Sequence, residues 1–412
     1  MNDSLLQAPS FSNGSFVEPK AQRESSLEAI LRPTTIEDFL LNYYGKGILH
    51  VPGDPAKFAD LLPWSVLNGI LDHQALDLQM TLVKEGHILP VESYRAGRRL
   101  LAHRVTTLLR EGATLIINHI DEKYGPIGAL AQNLERTLNC RVGVNMYAAW
   151  RSSRGFDLHS DDHDVFILQV AGKKNWQIHG ESIRFPVDTS GFRSNPPTKG
   201  PIWQSCLGPG DLLHIPRGWW HVALPCDVPT IHLTVGIYSP TALSLLTWLT
   251  NRLKSREMMR MDIPRIADAE TKARYMTAVQ ELVSEALSEI DLLGTFLRES
   301  NAMAQTRPAF GLPWSAMPNV IPASDSCNII FVPRQLDMQL NSGTGTVSVF
   351  ALGSEFTFKA EAKEFIHWVF KNAPITLREF YKAFAGVTAD QELAIFLVDA
   401  VTSGIIVLRE PS

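Results

Sequence analysis

His159 and Asp161 stand two residues apart, and His221 closes the run Gly-Pro-Gly-Asp-Leu-Leu-His-Ile-Pro-Arg-Gly-Trp-Trp-His that begins at Gly208. In an extended segment residues i and i+2 project from one face, so His159 and Asp161 can reach one ion, with His221 as the third ligand. Two imidazoles and one carboxylate that leave the other positions open form the facial set of non-haem Fe(II) oxygenases.

Lys174 adds a second requirement. After Gly172 the chain alternates, with Lys174, Trp176 and Ile178 in one phase and Asn175, Gln177 and His179 in the other. If the apolar phase points into a barrel, Lys174 points inward and Lys173 outward. An inward ammonium without a partner is costly, so the site calls for an anion. The distal carboxylate of 2-oxoglutarate, whose other end chelates the iron, would meet that need.

Taken together, Asn145-Met-Tyr147, His159-x-Asp161, Asp164-Val-Phe-Ile-Leu-Gln169, Gly172-Lys-Lys-x-Trp176, Pro209-Gly-Asp211, Pro216-Arg-Gly-Trp-Trp-His221 and His232-Leu-Thr234 are specific. The stretch 145–236 resembles the JmjC-type cupin family of 2-oxoglutarate oxygenases, in the branch of ribosomal oxygenases that hydroxylate ribosomal proteins. The resemblance implies Fe(II) on His159, Asp161 and His221, with 2-oxoglutarate as cosubstrate on Lys174 and O2 as oxidant. It also implies that Asn145 and Tyr147 line the cosubstrate or substrate pocket, and that Thr234 contributes to the cosubstrate site.

Other residues compete for these roles. His163, Asp162 and Asp164 lie close enough in sequence to be ligands, and the family pattern makes them supporting or structural instead. His214 has apolar neighbours and reads as packing. His232 shares a phase with Thr234 and so faces either the cavity or a core partner. Trp219 and Trp220 are expected to wall the pocket, and Arg217 either steers a substrate carboxylate or stabilises its turn.

Length and composition bound the rest. A chain of 412 residues favours two or three domains. With 45% hydrophobic and 20% charged residues the composition is that of a globular protein. A net charge of −5 advertises no polyanion-binding surface, so nucleic acid is not an expected partner. Four cysteines without a CxxC pair argue against a zinc ribbon or a disulfide framework. The first residues lack a basic start and an apolar run, and no stretch approaches the ~20 apolar residues of a membrane span, so a cytoplasmic protein is expected.

The predicted fold class is α+β: a double-stranded β-helix (jelly roll, JmjC/cupin type), then a helical dimerisation region, then a winged-helix-like C-terminal domain. Residues 1–25 read as a flexible tail, 26–240 as the oxygenase domain, 241–306 as the helical region and 307–412 as the wing, with 307–322 as a Pro/Gly-rich linker. Short β-rich runs at 113–118, 142–148 and 231–237 suit an antiparallel jelly roll. Tyr275, Val279, Leu282, Ala286, Ile290, Leu293 and Leu297 step by fours and threes and predict one long helix with an apolar face. A homodimer is implied there by the resemblance; the alternative is that the helices pack on their own barrel. Glu355, Glu361, Glu364, Glu379, Asp390 and Glu392 favour a protein-facing or structural wing over a DNA-binding one.

The reading from sequence is therefore an Fe(II)- and 2-oxoglutarate-dependent hydroxylase of a protein side chain, most specifically of a ribosomal protein. Two alternatives stay open: the same chemistry on a biosynthetic peptide or small molecule, and a non-enzymatic cupin scaffold.

Overall fold

The computed structural model describes residues 26–73, 78–151, 155–187, 195–317, 319–322 and 327–410. The expected tail, residues 1–25, lies outside the described residues. Of the described residues, those from 26 to 239 form one unit, and those from 240 to 410 belong to a second. Among the described residues no helix is long and apolar enough to cross a membrane.

The first unit is built on strands β1 (Leu49–Val51), β2 (Met80–Lys84), β3 (His87–Ile88), β4 (Arg95–Ala96), β5 (Arg99–Leu100), β6 (Thr114–Ile117), β7 (Arg141–Ala149), β8 (Asp164–Ala171), β9 (Lys174–Glu181), β10 (Trp203–Leu207), β11 (Leu212–Ile215), β12 (Trp219–Pro225) and β13 (Thr230–Tyr238). Eight of them form one antiparallel sheet in the order β1-β11-β8-β13-β7-β6-β2-β3, and β10-β9-β12 form a second, smaller one. Period-two alternation decides what each face carries. On β7, Val142, Val144, Met146 and Ala148 join the main apolar core with the helices Leu27–Leu31, Trp64–His73 and Gly125–Leu138. Asn145 and Tyr147 point to the opposite face.

That opposite face packs on the small sheet. Val165 and Ile167 of β8 and Leu213 and Ile215 of β11 meet Trp176 and Ile178 of β9 and Leu207 of β10 in a compact apolar cluster. The result is the two-sheet sandwich of a cupin-type jelly roll. Burial along β9 strictly alternates, with Lys174, Trp176, Ile178 and Gly180 buried and Asn175, Gln177 and His179 only partly so.

In the second unit the apolar series from Tyr275 to Leu297 does not form one helix. It forms two, Ala269–Leu287 and Leu292–Ala302. The break lies at Asp291, which adopts a left-handed φ of 58° and accepts a hydrogen bond from the Gly294 N–H at 3.2 Å. Asp tolerates that conformation and is a strong N-cap, so a new helix start outcompetes continuation of the old one. No residue of Ala269–Leu287 is buried.

The rest of this unit has its own core. Strands β14 (Asn328–Phe331), β15 (Met338–Asn341), β16 (Thr346–Ala351), β17 (Ser354–Lys359), β18 (Ile375–Thr376) and β19 (Ile406–Arg409) make two three-stranded antiparallel sheets, β18-β14-β19 and β15-β16-β17. The helices Ala362–Asn372, Leu377–Phe384 and Asp390–Thr402 bury Phe365, Phe380 and Phe396 among them. The segment 307–322 is not a free linker: Arg409 Nε donates to the Phe310 carbonyl at 2.9 Å, and Trp314 leans on the core. Its apolar side chains find partners that its Pro/Gly content does not announce.

The turn between β8 and β9 sets the start of the strand that carries Lys174. Its Gly172 has φ 65°, and a Cβ there would lie 2.0 Å from the Pro229 carbonyl oxygen. Only glycine meets both demands. Gly172→Ala is expected to cost about 1–3 kcal/mol. Denaturant unfolding checks this, and an unchanged midpoint would mean that the turn is softer than its geometry indicates.

Candidate metal centre

His159, Asp161 and His221 come together. Among the described residues they form the one cluster of metal-ligating side chains, with one potential ligand atom from each lying within 4.8 Å of the others. The His221 Nε2 is 3.6 Å from Asp161 Oδ2, and the two imidazole centroids are 4.4 Å apart.

The backbone imposes this meeting. His159 belongs to no long strand; it pairs with His221 in a single β-bridge. The His159 N–H donates to the His221 carbonyl at 3.1 Å, and the His221 N–H returns the bond at 2.7 Å. Gly218 N–H then donates to the Asp161 carbonyl at 2.7 Å, so the segment carrying two ligands is fastened to the turn that leads into the third. Within β12 the register on β9 slips by one residue between Trp220 and His221, which sets His221 opposite Ile178 on the inward phase. Such bulges commonly re-aim a side chain beside a functional site.

The ring orientations are set as well. His159 Nδ1 lies 2.7 Å from the Asp157 carbonyl and His221 Nδ1 lies 2.9 Å from the Trp219 carbonyl. A carbonyl only accepts, so both Nδ1 atoms carry the proton and both Nε2 atoms are left bare for a metal. Burial, and then the neighbouring His159, push the His221 pKa down to about 4, against the opposing pull of Asp161. His221 is therefore neutral at pH 7, as a ligand must be.

A cavity of about 490 Å³ is lined by all three residues and also by Asn145, Tyr147, Lys174 and Thr234. Lys174 is only 4% exposed. Burial drives its pKa from 10.5 down to about 7, with Cys226 weakly opposing. That depression corresponds to roughly 5 kcal/mol against the charged form. No carboxylate among the described residues forms an ion pair with it. Asn145 and Thr234 face each other across β7 and β13, as do Tyr147 and His232. The Asn145 side-chain oxygen accepts from the His119 N–H at 3.1 Å. Burial, then Asp161, raise the Tyr147 pKa, while its hydrogen bond with Asn145 partly offsets them.

The competing residues are engaged elsewhere. His163 lines the cavity, but its Nδ1 lies 2.9 Å from Asp162 Oδ1 and its ring stacks on Tyr238 at 4.3 Å. Asp164 Oδ1 takes the Gly45 N–H and lies 3.1 Å from His214 Nε2, whose ring is fully buried. Trp219 and Trp220 do not line the cavity. The Trp220 indole N–H donates to Ser182 Oγ at 2.8 Å, and Trp219 packs on the inter-sheet cluster. Arg217 lies over the Phe185 ring at 5.0 Å. Tyr238 went unnoticed in sequence, although continuing the His232, Thr234 phase by four residues reaches it.

A facial His-x-Asp…His set opens into a jelly-roll cavity, and residues 123–245 match the family model described as the JmjC domain. The chain is similar to that family over this stretch. It is 28% identical over 236 residues to the Drosophila persimilis bifunctional lysine-specific demethylase and histidyl-hydroxylase NO66, covering 53% of this chain and 33% of the relative. The NO66 protein of Dictyostelium discoideum is 28% identical over 240 residues, covering 54% and 45%. The chain thus spans less than half the length of these relatives. Among solved structures, Escherichia coli ribosomal oxygenase YcfD matches with a TM-score of 0.59 at 16% identity, over 91% of this chain and 98% of that one. A second structure of YcfD, in complex with cobalt and 2-oxoglutarate, matches with a TM-score of 0.58 at 17% identity, over the same shares. At such identities the likeness establishes the fold.

The donor set fits a divalent first-row metal: neutral imidazole nitrogens and one carboxylate, preset by backbone bonds. Asp161→Ala is expected to weaken Mn(II) or Fe(II) binding by about a hundredfold or more. Anaerobic calorimetric titration of the full chain checks this, and unaltered affinity would place the metal elsewhere.

Proposed function

We propose that the chain is an Fe(II)- and 2-oxoglutarate-dependent oxygenase that hydroxylates an amino-acid side chain of a protein, with a ribosomal protein as its substrate. One observation carries the reading: a preset facial triad and a buried ammonium without a carboxylate partner open into the same cavity. The first suits a metal, and the second suits the far end of a dicarboxylate.

On this reading His159, Asp161 and His221 hold the iron. Bound Fe(II) with O2 and 2-oxoglutarate supplies oxidation of an unactivated C–H bond, with succinate and CO2 as the other products. The chain's own residues bind, orient and exclude water. Lys174 pairs with the distal carboxylate, while Asn145, Tyr147 and Thr234 shape the wall between the two ends. Trp176 and Ile167 keep that wall dry, which strengthens the charge pair.

The ribosomal substrate is supported by the names of the structural neighbours, and a cytoplasmic site of action follows from it. The second unit reads as a helical dimerisation region, 241–306, and a winged-helix-like domain, 307–412. A homodimer is supported by the wholly unburied helix Ala269–Leu287 and by Leu287 and Leu293, which are exposed. Light scattering in solution tests it.

Two measurements test the enzyme. Iron-dependent consumption of 2-oxoglutarate is expected to vanish in His159→Ala and Asp161→Ala, and persistence in both would sink the assignment. Comparing intact masses of ribosomal proteins with and without the active protein is expected to reveal one gaining an oxygen atom. If none does, a peptide or small molecule is the target instead.

The state of Lys174 adds a pH signature. Below pH 7 the free lysine is charged and 2-oxoglutarate binding is strongest. As pH rises through about 7 the lysine loses its proton, and affinity is expected to fall by up to about tenfold per pH unit. Lys174→Ala is expected to bind roughly 30-fold more weakly or worse and to lose this slope. Titrations at several pH values check both, and a flat wild-type profile would contradict them.

A further inference from the structure

We propose that the arginine-rich surface of residues 95–110 binds the phosphate backbone of RNA. The choice of RNA among polyanions rests in part on the ribosomal reading above; the surface itself does not.

The chain's net charge of −5 hides a local excess of the opposite sign. Between Ser93 and Arg110 stand five arginines, Arg95, Arg98, Arg99, Arg104 and Arg110, with neither an acidic residue nor a lysine among them. The structure turns this stretch outward. Strands β4 and β5 pair as a hairpin, with Gly97 at φ 59° in its turn, and the helix Ala102–Arg110 follows. Arg95 braces the hairpin, its guanidinium donating to the carbonyls of Leu78 at 2.9 Å and Arg98 at 3.0 Å. Arg98, Arg99, Arg104 and Arg110 are exposed. Among the described residues no carboxylate forms an ion pair with Arg99, Arg104 or Arg110, and the neighbouring Glu111 pairs with Lys84 at 3.5 Å instead.

Neither helix stability nor packing explains these charges. Arg104 lies in the first turn of its helix, where the macrodipole favours an acid, and that turn contains none. The helix buries Val105 and leaves Arg104 and Arg110 in water. A protein partner is ordinarily met by an apolar centre within a polar rim. None of the exposed residues from 93 to 110 is a large apolar side chain. A row of guanidinium groups without an apolar centre suits a phosphate backbone, because each planar fork can pair with two phosphate oxygens at once. The helix is about 13 Å long, enough to follow several successive phosphates. It leads into β6, whose Thr114 and Ile116 line the cavity, so RNA held on it stays with the unit that carries the metal-ligating cluster. An oxygenase whose protein substrate is carried on RNA would use that arrangement.

The test is fluorescence anisotropy of a labelled short RNA duplex, titrated with the full chain at several salt concentrations. Wild type is expected to bind with an affinity that falls steeply as salt rises. The triple variant Arg99→Gln, Arg104→Gln, Arg110→Gln is expected to bind about tenfold more weakly or worse, with the slope of log affinity against log salt reduced by about 2 or 3. A control, Lys363→Gln, Lys371→Gln, Lys382→Gln, removes the same charge from exposed positions of the second unit and is expected to change affinity less than about threefold. Equal losses in the two variants would reduce the effect to net charge and overturn the proposal, as would a wild type that does not bind RNA. Polyglutamate of matched charge binding as tightly as RNA would assign the surface to an acidic protein and also overturn it. If the triple variant does not fold, Arg99→Gln and Arg110→Gln are measured singly, each with an expected slope change of about one, and unchanged slopes in both count against the proposal. Neither iron nor 2-oxoglutarate enters this measurement, so its failure leaves the oxygenase reading standing. A wild type that binds RNA but consumes no 2-oxoglutarate would remove that reading and leave the RNA surface in place.

Discussion

The interior of the sandwich has to accept a buried ammonium, and the rest of the site is arranged around that constraint. Lys174 opens β9, faces the large sheet, and cannot turn outward without turning Trp176 and Ile178 out with it. The phase of a strand is indivisible. The apolar cluster between the sheets fixes that phase, and the phase fixes the charge. The penalty on the ammonium is tolerable because the large core on the far side of the main sheet stabilises the unit independently.

The three candidate metal-ligating side chains obey a different logic. They are brought together by backbone hydrogen bonds rather than by the burial of their own side chains: His159 and His221 exchange two bonds, and Gly218 ties the Asp161 carbonyl. Gly218 itself has φ 82°, and a Cβ there would lie 2.6 Å from the Ile183 carbonyl oxygen. Glycine lets the turn close so that the bridge can form. A triad held in this way needs little rearrangement on binding a metal, which lowers the ordering cost of the site.

Period-two patterns made most of this legible in the sequence. The alternation after Gly172 located Lys174, whereas Asn145 and Tyr147 were reached through the family resemblance alone. What escaped was set by non-local geometry. The register slip beside His221 depends on how β12 meets β9 and leaves no mark in composition. Trp219 and Trp220 looked like pocket walls because they adjoin a ligand, yet one serves the inter-sheet cluster and the other reaches Ser182. The long helix expected through Ile290 failed because apolar spacing records which face is apolar and not whether the backbone continues. Asp291 capped a new helix instead, and a capping signal at a single residue is easily outvoted by seven periodic ones.

The charges in the cavity bear on the order in which its occupants arrive. Asp161 is negative, and Lys174 is positive when protonated. A dianion entering a metal-free cavity gains Lys174 but meets the Asp161 carboxylate in a poorly screened space. With a divalent ion in place, the ion and Lys174 together bring three positive charges, and Asp161 with the dianion brings three negative ones. Either occupant alone leaves the cavity with a net charge, and the two together cancel. Charge balance of this kind makes the metal a condition for tight binding of the cosubstrate, and it makes the cosubstrate a reason for the lysine to regain the proton that burial had loosened. The two sites are then coupled through the field of the cavity, without any moving part.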